Sequence, residues 1–323
     1  FLKFYEDVFF PTLEKEGITT IMDMGDTFDS RKGIDFAALS WAKNNYFDKL
    51  KDYTIHTIVG NHTAYYKNTN EVNAIDLLLR EYDNIKIYSE ATEIKIDNRG
   101  ILLVPWINQE NEKETFNILK KSKCEVVMGH LELNGFHATA GHVQEHGTPI
   151  SAFERFERVY SGHYHIRSNK ENIYYLGNPY QMFWNDWNDT RGFHIWDTET
   201  LEHTPVNNPY DIFEKIFYED TPYQTFDTRK YENKIVKLIV REKTDTKKFE
   251  KFVDKLYNSN VAEIKVVENF DFSGWYSKDD DAYESEDTMS ILNRYIEDAD
   301  ITLDKSVVQK MLQDTYQEAC ELV

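Results

Sequence analysis

Four times in this sequence a short, mostly apolar run stops at a glycine, and an aspartate, asparagine or histidine follows at once. Ile18 to Met24 stops at Gly25-Asp26, and Thr54 to Val59 at Gly60-Asn61-His62. Glu125 to Met128 stops at Gly129-His130, and Val159 to Ser161 at Gly162-His163-Tyr164-His165. Runs of this length read as strands. Glycine lets the backbone turn sharply, so the next side chain projects over the strand ends. Helical patterns lie between them, at Phe4 to Lys15, Phe36 to Lys51, Asn73 to Tyr82 and Lys113 to Lys121. Further strands are predicted at Ile85 to Tyr88, Thr92 to Ile96, Ile101 to Val104, Ile173 to Leu176 and Gly192 to Asp197. Strands alternating with helices, followed by consecutive strands, predict an α/β fold with a mixed sheet or two packed sheets. Polar residues just past the strand ends stand where sites form in such folds.

With 41 % hydrophobic and 29 % charged residues in 323, the chain has a globular composition. Its longest apolar run, 101–107, is interrupted by Pro105 and is far shorter than a membrane span. Cys124 and Cys320 have neither CxxC nor metal-type spacing, so a disulfide framework is not expected and a reducing, cytoplasmic setting is the default. Lys plus Arg is 37 against 57 for Asp plus Glu, a net charge of −20. That balance opposes bulk attraction to nucleic acid unless divalent ions or a partner subunit supply positive charge.

After Pro205 the texture changes. Ile235 to Arg241, Thr246 to Tyr257 and Val261 to Glu268 read as a small βαβ unit. A loop rich in Asp, Ser and Gly spans Asp271 to Asp287, and two short helices are expected near Thr288 to Glu297 and Asp304 to Ala319. Asp304 suits an N-cap. The last helix would carry Val308, Met311, Leu312, Thr315 and Ala319 on one face.

One carboxylate (Asp26), one amide (Asn61) and several imidazoles (His130, His163, His165) make a donor set for Mn²⁺, Fe²⁺ or Zn²⁺, not a thiolate site. Two such ions about 3.5–4 Å apart form a clamp for in-line attack on a phosphoester. Each Gly-polar element alone is a capped turn; the ordered set is what carries the reading. The spacing of His163 and His165 fits extended backbone with both on one side, or a tight turn that serves two metals.

The stretches GITTIMDMGDTFDSRK, HTIVGNHTAYYKN, VMGHLELNGF, VYSGHYHI and YLGNPYQ, with RGFHIWDTET after them, resemble the calcineurin-like metallophosphoesterases. Within these the chain is most similar to SbcD-type nuclease subunits, the T-even phage recombination endonuclease subunit above all. The resemblance implies a metallophosphoesterase core of two packed mixed β-sheets flanked by helices, an αββα sandwich, over 1–205. It implies a small α/β cap at 206–275, then an acidic linker and partner-binding helices at 276–323. Asp26 would bridge two metals. Asn61, His130 and His163 would complete one site, and His165 would belong to the other. His62 would bind no metal; it would stabilise the transition state and protonate the leaving oxygen. The resemblance further implies two divalent ions, Mn²⁺ foremost, DNA as substrate, an SbcC-type ABC ATPase with a coiled coil as partner, and a homodimer. It implies no membrane association and a place in the host cytoplasm.

Two departures stand out. The family's first motif, Asp-x-His, is absent and Phe1 opens the chain, so about 20–30 residues carrying two ligands of the His165 metal are expected upstream. Thr63 stands where the family has an acidic residue that orients the preceding histidine, and threonine is expected to do this less well.

Other residues read more plainly. His137, His142 and His146 read as a solvated loop, and Trp184 and Trp187 as rim packing rather than base stacking. Tyr164 suits packing at least as well as stacking on a base. Lys243, Lys247, Lys248, Lys251 and Lys255 read as a solvated helical face rather than a DNA contact. Two alternatives to a DNA nuclease remain open, a phosphoesterase for small molecules and a non-catalytic scaffold subunit.

Overall fold

A strand whose residues are all buried needs a covering layer on each face. Ile101, Leu102, Leu103 and Val104 are all 0 % exposed, and they set the layering of the molecule. The structure, a computed structural model, describes residues 1–139, 142–240, 245–268 and positions 295, 296, 305, 307–309 and 311. Strands β1 (Thr20–Asp23), β2 (Thr54–Ile58) and β3 (Ile85–Tyr88) form a parallel sheet in that order. A second, mixed sheet contains β4 (Thr92–Ile96), β5 (Arg99–Val104) and β6 (Val126–Gly129). A hairpin of β7 (His137–Thr139) and β8 (His142–Val143) intervenes. The mixed sheet is completed by β9 (Arg158–Ser161), β10 (Ser168–Lys170) and β11 (Ile173–Tyr175), in the order β10-β11-β9-β6-β5-β4.

Helix α1 runs through Leu2–Phe4, Tyr5–Phe9 and Phe10–Glu16 and ends where Gly17 turns left-handed at φ 66°. Helix α2 runs through Phe36–Ala42, Lys43–Phe47 and Asp48–Leu50, capped by Asp35, which accepts from Ala37 N and Ala38 N. Helix α3 (Ala74–Leu79) is capped by Asn73, and α4 is Glu112–Lys121.

The side chains of β5 separate by parity. Ile101 and Leu103 join Ile58, Val126, Met128 and Tyr160 in the core between the two sheets. Leu102 and Val104 turn the other way, with Val127 and Val159, against Leu119 of α4. On the far side Phe4, Leu13, Phe47, Leu50, Ile75 and Leu79 of α1–α3 cover Ile55 and Ile85. The layers are helix, sheet, sheet, helix, as expected for the α/β fold. The carboxyl ends of the central strands are drawn to one edge. Trp106 N donates to Val59 O (2.8 Å), His130 N to Val104 O (2.9 Å) and Gly162 N to Gly129 O (3.0 Å).

A ribbon of β12 (Gly192–Trp196) and β13 (His203–Asn207) follows. His194 donates from Nε2 to Leu176 O (3.0 Å), while its Nδ1 is buried without a partner among the described residues. Burial, together with the nearby Arg167 charge, holds this imidazole down at about 4. The unfolded chain takes up the proton from about pH 6.5 downward, the folded chain only near 4. Stability is therefore expected to fall as pH drops from about 6.5 to 4, by up to about 3 kcal/mol from this group. Urea unfolding at pH 7 and pH 4.5 measures it, and His194→Gln should remove that part of the slope.

A further parallel sheet, in the region expected to form the cap, contains β14 (Phe213–Phe217), β15 (Ile235–Val240) and β16 (Glu263–Glu268) in that order. Helix α5 (Thr246–Tyr257) covers one face and packs Phe249, Phe252 and Leu256 against Ile216, Val236 and Leu238. The βαβ reading omits β14. Only Phe213 and Ile216 of that strand are buried, so it has no period of two to detect. Residues 272–323 form a second compact unit of which only the helical positions named above are described. The loop at 271–287, most of both closing helices with Asp304, and also Lys243 and Cys320 lie outside the described residues. Among the described residues no helix is long and apolar enough to cross a membrane.

Candidate metal centre

Glycines let the four turns approach one another. Gly25 is left-handed at φ 94°, and a Cβ there would stand 2.5 Å from His130 Nδ1. A Cβ on Gly60 would overlap the Asp26 carboxylate. Both positions therefore exclude any larger residue. Asp26 (φ 56°) and His163 (φ 77°) are themselves left-handed without being glycine, a strain typical of functional sites. Asp23, half-buried at the end of β1, fixes the first turn by accepting from Gly25 N (3.0 Å) and Thr27 Oγ1 (2.7 Å). Burial raises its carboxyl above the usual range.

Four donor atoms converge. Asp26 Oδ2 lies 3.0 Å from His130 Nε2, and Asn61 Oδ1 lies 2.9 Å from the same nitrogen. His163 Nδ1 is 3.0 Å from Asn61 Oδ1 and 3.2 Å from His130 Nε2. The remaining hydrogen bonds decide what these atoms present. His130 Nδ1 donates to Met24 O (2.8 Å), so Nε2 turns its lone pair toward two oxygens that are themselves acceptors. A shared proton neutralises part of that set; a cation satisfies all of it. Metal bonds of about 2.1 Å place neighbouring ligands about 3.0 Å apart, close to the separations here. Asp26, His130 and His163 thus form a group able to hold a metal ion.

The electrostatics agree with the geometry. Burial alone would raise Asp26, but His130 and His62 hold it down at about 2. Burial opposes charge on His130, and Asp26 overrides it, so its imidazole is raised. Burial and the His130 charge push His163 down to about 3 and keep it an uncharged donor.

His62 N donates to Asp26 Oδ1 (2.8 Å), which ties the second turn to the first. The His62 ring turns away from the donor cluster, and Nδ1 donates to Asp29 O (2.8 Å), with the Asp29 carboxylate 3.5 Å off. Asp29 raises this imidazole to about 9, against the cost of burial. Thr63 is wholly buried and closes the turn on itself. Its hydroxyl accepts from Gly60 N and donates to Gly60 O, both at 3.0 Å. Orientation of His62 therefore comes from Asp29, not from position 63.

His165 stands apart from the donor cluster. The left-handed backbone at His163 turns the chain, so the two imidazoles diverge, as in the tight-turn alternative. The His165 ring stacks on Phe183 at 5.8 Å, and Nδ1 is 3.9 Å from Asp186 Oδ1. Asp186 is buried and held by Met182 N (2.8 Å), Phe183 N (3.2 Å) and the buried Arg191 (3.1 Å).

A comparison with curated proteins gives the relationship. Exonuclease subunit 1 of Enterobacteria phage T4 is 34 % identical over 314 residues, covering 95 % of this chain and 90 % of that protein. The chain belongs to the exonuclease subunit 1 family. This relative agrees with the resemblance to a phage recombination nuclease of the metallophosphoesterase type. No protein-family model matches the chain.

For this member of the exonuclease subunit 1 family, the sequence reading missed three acids. Asp29 follows Asp26 by three residues in GDTFDSRK, and that spacing is the one signal it gave. Asp23 and Asp186 gave none: their donors lie within five residues of them, and an acid that caps a nearby turn is too common a pattern to mark a site. Tyr164 is 4 % exposed and donates to Leu133 O (3.0 Å), so it packs rather than stacks on a base. Trp184 and Trp187 face Lys237 of β15 and Lys215 of β14. His137 and His146 are exposed and outside the donor group among the described residues.

Proposed function

We propose that the protein is the nuclease subunit of a DNA recombination and repair complex, hydrolysing DNA phosphodiesters with two divalent ions of the Mn²⁺ class. The convergence of Asp26 Oδ2, Asn61 Oδ1, His130 Nε2 and His163 Nδ1, with His62 beside it, carries the reading. These four residues would hold one ion, Asp26 would also face the second, and His165 would belong to that second site. Bound there, divalent ions supply a Lewis acid for the phosphoryl oxygens and an activated water at neutral pH. His62, held through Nδ1 by Asp29, keeps Nε2 for substrate. As water adds to phosphorus and the bond to the leaving oxygen breaks, Nε2 gives its proton to that oxygen. Its raised imidazole is charged at pH 7, as a general acid requires. The T4 relative is named as a subunit. We take this chain likewise to act in a multi-subunit assembly, with an SbcC-type ATPase as the partner and a homodimer of the nuclease.

The test compares linear DNA, a chromogenic phosphodiester and a nucleotide as substrates with Mn²⁺. Preference for DNA supports the proposal. Turnover of the nucleotide alone moves the site to small phosphoesters, and metal binding without turnover of any substrate makes the chain a scaffold.

Asp29→Asn removes the carboxylate beside His62 but keeps the backbone carbonyl that accepts from Nδ1. The rate on DNA is expected to fall about 10–100-fold with metal affinity unchanged, read by turnover and by titration calorimetry. An unchanged rate would remove Asp29 from this role.

A further inference from the structure

Lys215, Lys237 and Lys265 are register partners on the neighbouring parallel strands β14, β15 and β16. Ile216, Val236, Leu238 and Ile264 point the other way, into the core with α5, so the three lysines share the opposite face. Like charges in register repel. This chain, net −20, assembles three of them side by side. No carboxylate pairs with any of the three among the described residues. Glu214, next to Lys215, lies on the other face and pairs with Lys234 at 2.7 Å; Glu263 shares the lysine face, two residues before Lys265, but forms no ion pair with the row among the described residues.

Aromatic rings hold two of these ammoniums in place of carboxylates. Lys215 Nζ stands 4.1 Å from the centre of the Trp187 ring, and Lys237 Nζ stands 4.2 Å from that of Trp184. Trp184 packs in turn on Phe213 at 4.8 Å. A ring face orients a cation without neutralising it. Burial lowers both lysines, and for Lys237 the Lys215 and Lys265 charges add to it. The turn that carries both tryptophans also carries Asp186, 3.9 Å from His165 Nδ1. The row therefore begins on the turn that reaches His165 and ends at Lys265, which is exposed.

We propose that Lys215, Lys237 and Lys265 form a phosphate track that receives the DNA backbone on the His165 side of the nuclease domain. This rests on the nuclease reading above and names the residues that bind its substrate. Strands about 4.8 Å apart make the row about 10 Å long, the rise of about three nucleotides. An acidic protein repels DNA over most of its surface, so a local unneutralised row decides where the strand lies.

The test uses the full chain in EDTA, so that binding is read without cleavage. Anisotropy of a labelled linear duplex is followed against salt for the wild type and for a row variant, Lys215→Gln with Lys237→Gln and Lys265→Gln. A comparison variant with the same charge change carries Lys247→Gln, Lys248→Gln and Lys251→Gln on the exposed side of α5. The row variant is expected to bind about 10²-fold more weakly in 0.1 M salt, with the log–log salt slope reduced by about 2.7. The comparison variant should keep the wild-type slope. Lys265→Gln alone, at the exposed end, should reduce the slope by about 0.9 whether or not the triple variant folds. Equal losses in both triple variants, or no change in the row variant, would overturn the track. Should the wild type still cut linear DNA with Mn²⁺, the nuclease reading survives that result. A wild type that neither binds nor cuts DNA overturns both.

Discussion

Replacing His62 with alanine is expected to leave divalent metal bound and to slow hydrolysis of linear DNA by about 10²–10⁴-fold, the range for loss of a positioned general acid. The expectation comes from the division of labour around Asp26. His62 reaches the donor cluster only through its backbone, N to Asp26 Oδ1 at 2.8 Å. Its ring turns outward to Asp29 and is partly open to solvent. An alanine keeps the N–H, and with it the bond between the turns, and removes only the proton donor. Titration calorimetry with Mn²⁺ should give wild-type affinity while turnover collapses. A loss that disappears with a substrate whose leaving group needs no proton, such as a nitrophenolate diester, would identify the missing step as protonation. Weakened metal binding would mean instead that the imidazole is part of the metal site.

Asp26→Ala is expected to do the reverse of this separation and abolish both functions together. The Asp26 carboxylate lies 3.0 Å from His130 Nε2 and accepts from His62 N, so it holds the ion-binding and proton-donating halves in one frame. Without it His130, His163 and Asn61 lose their one anionic partner, and a neutral donor set binds a hard divalent ion poorly. We expect no metal binding by calorimetry and a fall in rate of at least about 10³-fold, about 4 kcal/mol of barrier. Alanine suits the left-handed backbone at this position (φ 56°) less well than aspartate, and the bond from His62 N is lost, so thermal stability should fall modestly as well. A variant that still cuts DNA at the wild-type rate would end the proposal.

Much of this was legible because of where the glycines fall. Gly25, Gly60, Gly129 and Gly162 follow strands that pair into two stacked sheets, and their partners in sequence are the residues that converge. The run Ile101–Val104 was legible as a strand, and the structure adds that it has one core on each face. β14 was not legible, because two buried residues in five make no period. The lysine row was not legible either. Lys215, Lys237 and Lys265 are spread over fifty residues and are neighbours only through strand register. The lysines that clustered in sequence, on α5, include Lys248, which pairs with Asp245, and Lys255, which donates to Phe226 O.

Position 63 shows the limit most clearly. A threonine after Asn61-His62 reads as the loss of an acid, yet the fold supplies Asp29 from another turn and gives Thr63 a closed backbone role. Local chemistry is written in the order of residues: where strands stop, which donors follow, and which glycines permit the turn. The sequence by itself therefore determined the layered α/β class and the donor types. Which donors meet, which imidazole turns toward the cluster and which carboxylate orients His62 depend on distances between segments 30 to 100 residues apart. Only packing of the two sheets sets those distances, because no local preference along the chain encodes a contact between its remote parts.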